Sequence, residues 1–168
     1  MNLNIIKNCR KNLLQKTGDK MKQIEGDLIE LAKQRRFDVI AHGCNCFCVM
    51  GAGIAKSIKE NFPEAYREDQ KTKKGDQKKL GTCNYVTTNT GLIVVNAYTQ
   101  YDYSGKGPQV DYDAVATCMR WIKKEFLGKR IGLPRIGAGL AGGNWERIEK
   151  IINKELGRED VTIVIKTC

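Results

Sequence analysis

The stretch from Phe37 to Ile58, FDVIAHGCNCFCVMGAGIAKSI, constrains the fold more than any other part of the chain. Its nearly continuous apolar run, FDVIAH, has the pattern of a strand buried on both faces, as in largely parallel sheets covered by helices. Ile54, Ile58 and Phe62 then recur at four-residue spacing and predict an amphipathic helix that closes near Pro63. Between strand and helix stand Gly51 and Gly53, where backbone can approach an anion and the N–H groups of a helix start supply donors. A second run, GAGLAGGNW from Gly137 to Trp145, repeats the arrangement. Two glycine-lined helix starts in so small a chain point to a diphosphate clamped from two sides. The plainer alternative is a pair of ordinary strand-to-helix turns.

The remaining sequence alternates in the same way. MKQIEGD, Met21 to Asp27, reads as a short strand entering a turn, and LIELAKQRR sets Leu28, Leu31 and Ala32 on one helical face. Lys71 to Lys79 is a polar loop, and GTCNYVTTN and GLIVVNAYT are two strands meeting through Asn89 to Gly91 as a hairpin or tight turn. YDYSGKGPQ is rich in turn formers. Asp111 is placed to cap a helix whose apolar face holds Val115, Met119, Ile122 and Phe126. KRIGLPRIG is a strand with Pro134 at its end, WERIEKIINKEL turns Trp145, Ile148, Ile152 and Leu156 inward, and VTIVIKTC closes the sheet. The pattern predicts a three-layer α/β/α sandwich with a mixed central sheet, a single domain over residues 1–168. No internal repeat is present.

With 168 residues, 41% of them apolar, the chain can bury a core and falls outside the disordered class. No stretch is long and charge-free enough to cross a bilayer, and MNLNIIKNCRKNLLQK lacks the unbroken apolar region of a signal peptide. Seven cysteines (Cys9, Cys44, Cys46, Cys48, Cys83, Cys118 and Cys168) form an odd set without disulfide-scaffold spacing, so an intracellular, cytoplasmic protein with free thiols is expected. In a strand, Cys44, Cys46 and Cys48 would share one face; their spacing is wrong for zinc, and no metal is expected. The net charge of +10 favours polyanions or a phosphorylated ligand. Only Lys71, Lys73, Lys74, Lys78 and Lys79 cluster, however, and no basic-aromatic interleaving is seen, which argues for a solvated surface and against nucleic acid.

Neither glycine run is a dinucleotide fingerprint or a Walker A loop: Lys56 stands where a third glycine would be required, and no G-K-[ST] ending follows. Asp27 can cap the helix after it, accept a proton from an adenine amino group, or do both. His42, the sole histidine, sits at the carboxyl end of a buried strand, where ligands of open α/β sheets gather. It is either a general base near neutrality or a structural hydrogen-bonder. Asn45 can serve a ribose hydroxyl or its own turn.

Three segments, IEGDL, HGCNCFCVMGAGIA and LPRIGAGLAGGNW, resemble the macro domain, an ADP-ribose-binding module. The resemblance runs from about residue 21 to 165. It is greatest to the branch holding ADP-ribose 1''-phosphate phosphatases and terminal ADP-ribose glutamate hydrolases. It implies that Asp27 holds the adenine amino group, with Leu28 contributing backbone, and that Asn45 bonds the distal ribose. Gly51, Ala52, Gly53 and Ile54 would form a first phosphate loop and Ile136, Gly137, Ala138, Gly139 and Leu140 a second, with Tyr98 along the groove. Where the glutamate hydrolases carry an aspartate after the second loop, this chain has Ala141. His42 matches the phosphatase branch. The resemblance therefore implies hydrolysis of ADP-ribose 1''-phosphate, with His42 activating water or donating to the leaving oxygen, Asn45 orienting the ribose, and no cofactor. A non-catalytic reader of ADP-ribose or ADP-ribosylated protein, or a hydrolase removing ADP-ribose from protein, are the alternatives.

Overall fold

The computed structural model describes residues 21–167; the N-terminal segment, Cys9 and Cys168 lie outside the described residues. The elements are β1 (Lys22–Glu25), α1 (Leu28–Lys33), β2 (Val39–Cys44), α2 (Gly53–Asn61), α3 (Pro63–Gln70), a 3-10 turn (Gln77–Lys79), β3 (Cys83–Thr87), β4 (Ile93–Tyr98), α4 (Tyr112–Glu125), β5 (Ile131–Leu133), α5 (Trp145–Leu156) and β6 (Val161–Ile165). The sheet order is β1-β6-β5-β2-β4-β3. Every neighbouring pair is parallel except β3 with β4, which the Thr88–Leu92 turn joins as the hairpin read from the sequence.

Strand alternation distributes the core over both faces. Val39 and Ala41 face a cluster with Val115, Met119 and Ile122 of α4 and Ile148, Ile152 and Leu156 of α5. Ile40 and Val94 face the other layer, with Leu28, Ile29 and Ala32 of α1, Ile58 of α2 and Ala65 of α3. These two apolar layers make the three-layer sandwich with its mixed sheet. The side chains predicted to point inward on α4 and α5 do so, Trp145 excepted, which is half-buried at the first position of α5.

Three local readings change. Pro63 opens a helix as well as closing one: its fixed φ and missing N–H suit the first turn of α3. β2 ends at Cys44, so Cys46 and Cys48 lie in the loop and the three thiols share no strand face. The second glycine run is not itself a helix start. α5 begins at Trp145, and Asn144 Oδ1 accepts from Arg147 N at 2.9 Å, so that helix caps itself.

Because β1, β2, β4, β5 and β6 run parallel, their carboxyl ends share one edge of the sandwich. Asp27 follows β1, Asn45 and Gly51 to Ile54 follow β2, and Ile136 to Leu140 follow β5.

Candidate functional site

The chain leaving β2 folds around Asn45. Asn45 Oδ1 accepts from the N–H of Phe47 at 2.9 Å, and Nδ2 donates to Val49 O at 2.8 Å. This tight turn delivers Met50, Gly51 and Ala52 to the start of α2. Helices α1, α4 and α5 are capped by Asp27, Asp111 and Asn144, but Ala52 caps α2 with no side-chain oxygen, and no acid stands in its first turn. The N–H groups of Gly53, Ile54 and Ala55 therefore have no acceptor among the described residues, and Gly51, Ala52 and Gly53 are exposed.

The second loop folds on itself after β5. Gly143 N donates to Gly137 O at 2.8 Å and Gly142 N to Gly139 O at 3.0 Å, and Gly137 sits at φ 73°. From behind, Gln109 N donates to Ala141 O at 2.7 Å. The N–H groups of Gly137, Gly139 and Leu140 have no acceptor among the described residues. The two loops abut. A Cβ placed on Gly53 would stand 3.2 Å from Leu140 Cδ1, and one on Gly43 would stand 3.3 Å from Ile136 Cγ1. Leu140 is 78% exposed, an apolar side chain left over the meeting point. Ala138 packs partly buried beneath it against the core.

At the β1 end, Asp27 Oδ1 accepts from Ile29 N at 2.8 Å and Glu30 N at 3.1 Å. Oδ2 has no partner among the described residues and stays available to a donor. The cap and an adenine contact are thus compatible. The Leu28 side chain is buried, which leaves only its backbone to face a ligand.

Behind the first loop lies a polar group that the sequence reading missed. Lys79, read there as part of a solvated cluster, is buried; its Nζ donates to Cys46 O at 3.2 Å, lies 3.9 Å from Asp69 Oδ1, and sits 4.5 Å above the Tyr98 ring. Tyr98 Oη donates to Asp69 Oδ1 at 2.7 Å. Burial raises the Asp69 pKa, while the Tyr98 bond and the Lys79 charge oppose that rise. Burial and the Asp69 carboxylate push the Tyr98 phenol well above its usual range. Tyr98, expected along the groove, is 1% exposed and props the loop from beneath.

His42 requires the larger correction. It pairs in register with Asn96 of β4, has no exposed surface, and its Nε2 lies 2.7 Å from Asn96 Oδ1. Asn96 Nδ2 is committed to Ala65 O and Asn84 Oδ1, both at 2.9 Å, so its oxygen must accept and His42 Nε2–H donates. Burial lowers the His42 pKa to about 4, with the Asn96 bond opposing. A neutral, enclosed imidazole has no route to a water at the loops, and the expectation that it activates one does not survive. Burial also pushes the thiols of Cys44 and Cys46 up, the latter to about 11, leaving them protonated. Among the described residues, no three His, Cys, Asp or Glu side chains group as metal ligands. No helix among them is long and apolar enough to cross a membrane.

An uncapped helix start abutting a glycine loop at the carboxyl edge of a parallel sheet is the kind of arrangement whose backbone N–H groups can receive an anion. The chain belongs to the macro domain family, whose sequence profile matches residues 41–152. It is 35% identical over 153 residues to an uncharacterized 17.5 kDa protein from the tk-vs intergenic region of Enterobacteria phage T4, covering 86% of this chain and 95% of that one. It is 26% identical over 166 residues to the ADP-ribose 1''-phosphate phosphatase of Debaryomyces hansenii, covering 80% and 93%. A solved structure of a Bacteroides thetaiotaomicron protein of unknown function superposes with a TM-score of 0.72 at 28% identity, covering 89% and 99%. Macro domains bind or process ADP-ribose-related ligands, and the fold described above is theirs.

Proposed function

We propose that the chain binds ADP-ribose along the carboxyl edge of its sheet and hydrolyses ADP-ribose 1''-phosphate to ADP-ribose and phosphate. The observation that carries this reading is the abutment of Gly53 and Leu140, which brings two loops with N–H groups free of acceptors among the described residues into contact. Gly51, Ala52, Gly53 and Ile54 take one side of the diphosphate and Ile136, Gly137, Ala138, Gly139 and Leu140 the other. Asp27 Oδ2 accepts from the adenine amino group, and the backbone of Leu28 completes that end. Asn45 has one Nδ2 hydrogen not engaged by Val49 and directs it at the distal ribose.

The chemistry then rests on positioning and on N–H donors aimed at developing charge. Water attacks phosphorus, the bond from phosphorus to the C1'' oxygen breaks, and the water's proton passes to that oxygen through a phosphate oxygen of the substrate itself. No protein base is assigned, because His42 is enclosed and Ala141 stands where a loop carboxylate would act. Turnover is consequently slow. The name of the Debaryomyces hansenii relative supports this choice of substrate. The same two residues favour a second reading, a binding module without turnover, with ADP-ribosylated protein among its ligands.

Phosphate release from ADP-ribose 1''-phosphate, measured beside calorimetry with ADP-ribose, tests both. Release with binding supports the hydrolase. Tight binding without release selects the binding module. Absence of both overturns the assignment of the loops.

A further inference from the structure

Lys79, part of the prop beneath the first loop, has one further neighbour, the thiol of Cys48. Lys79 Nζ donates to Cys48 Sγ at 3.4 Å. The thiol in turn donates to Asp69 O at 3.4 Å and lies 3.4 Å from Thr72 Oγ1, and the Cys48 carbonyl accepts from Gln70 Nε2 at 2.8 Å. These contacts hold Cys48 at φ 58°, a left-handed backbone that a residue with a side chain rarely adopts unless its surroundings fix it. Cys44 and Cys46 are buried, whereas Cys48 is half-buried and reaches solvent. Asp69 Oδ1 completes the group, 3.9 Å from Nζ. An accessible sulfur, an amine and a carboxylate therefore meet at one place. The sulfur and nitrogen stand within the separation of about 3–3.5 Å from which a bond forms.

We propose that Cys48 and Lys79 form a modification site, at which hydrogen peroxide oxidises the thiol and the Lys79 amine captures the product as a sulfenamide, a reversible Sγ–Nζ bond. Two steps lead there. The Cys48 sulfur attacks one peroxide oxygen, the O–O bond breaks, and the departing hydroxide leaves with the thiol proton as water; sulfur is oxidised by two electrons to a sulfenic acid and the peroxide is reduced. Asp69 then takes one proton from the Lys79 ammonium. The freed nitrogen lone pair attacks sulfur, the S–O bond breaks, and the hydroxide carries off a second amine proton as water. Asp69 suits the task because burial raises its pKa, against the Tyr98 bond and the Lys79 charge. A sulfenic acid left free goes on to the irreversible sulfinic acid, and capture by nitrogen stops that ladder. A second thiol then reopens the bond and restores both side chains. The rival partner is the Cys46 thiol, but it is buried, donates to Gln100 O at 3.6 Å, and is held protonated by a pKa of about 11. This site does not rest on the ADP-ribose reading above.

The test treats the reduced full chain with hydrogen peroxide, digests it without reductant and maps the peptides by mass spectrometry. The peptide holding Cys48 should be found joined to the one holding Lys79, the pair lighter than the sum of the two by about 2 Da for the two hydrogens lost. Dithiothreitol should separate them. Cys46→Ser should leave the joined pair in place. Lys79→Arg keeps the positive charge but offers no nitrogen that can shed its proton, so at the same peroxide dose Cys48 should reach the sulfinic acid about tenfold more often. The proposal is overturned if Cys48 of the unaltered protein is recovered as a free sulfenic or sulfinic acid with Lys79 unjoined, if it is found in a disulfide with Cys46, or if a folded Lys79→Arg variant oxidises no further than the unaltered chain. Where the Arg variant fails to fold, the map of the unaltered protein decides by itself.

Discussion

The loop after β2 rests on buried charge, whereas the loop after β5 rests on backbone and hydrocarbon. Lys79, Asp69 and Tyr98 hold the first from beneath, with the Lys79 ammonium on the Cys46 carbonyl. The second is closed by its own N–H groups and wedged against Val110 and Ile148, both within 3.3 Å of a Cβ built on Gly137. A polar prop fails all at once when one member is removed, because the partner's charge is left buried. A glycine-built loop fails in proportion to the volume added. The two loops therefore have different sensitivities, although they abut.

The largest effect should follow Asp69→Ala, which strands the Lys79 ammonium and the Tyr98 hydroxyl. Breaking a buried pair from one side costs about 3–5 kcal/mol, read by urea denaturation. Adding Lys79→Met should restore much of that loss. A cost near zero for Asp69→Ala would break the contrast outright.

Next comes pH. The His42 pKa falls from 6.5 in the unfolded chain to about 4 when folded. Between those values the unfolded state binds more protons, so stability rises with pH through this window and is lost as pH falls from 6.5 toward 4. The change reaches about 3 kcal/mol. His42→Leu should remove this pH dependence from the urea midpoint and cost about 1–3 kcal/mol for the unpaired Asn96 oxygen. Phosphate release per folded molecule should be unaltered; a selective loss of turnover would return His42 to the chemistry.

Gly137→Ala should cost about 1–3 kcal/mol, combining the strain of φ 73° with a Cβ only 2.6 Å from Val110 Cγ2. Smallest is Gly53→Ala. Its φ of 57° carries strain of about 1 kcal/mol, but the neighbour its Cβ meets is the free end of exposed Leu140, which can swing aside. Parallel denaturation of the two variants checks the order, and a reversed order would show that the second loop is the softer one.

Much of this architecture is legible in sequence because it is periodic. The apolar runs at β2 and β4 and the three- and four-residue spacings on α2, α4 and α5 each announce their element. α3 is not legible, since the residues it buries are Ala65 and Asp69, one small and one charged. The Asp69–Lys79–Tyr98 group is invisible for a different reason. Its members come from a helix, a 3-10 turn and a strand, and a lysine in a polar run carries no sign that the fold will enclose it. His42 shows how one position supports two readings. The end of a buried strand is where ligands gather, but the side chain there points to the layer holding α3, and only the register placing it opposite Asn96 decides.

The sheet order has a consequence for when the Asp27 end of the sheet is seated. Among the described residues, β1 pairs with β6, Val161–Ile165, alone, and Gly26 N is held by Ile165 O at 3.0 Å. During synthesis, both glycine loops emerge before β6 and can settle on β2, β4 and β5 while β1 has no ladder partner among the described strands. The Asp27 end of the sheet is therefore seated only once β6 has emerged to pair with β1.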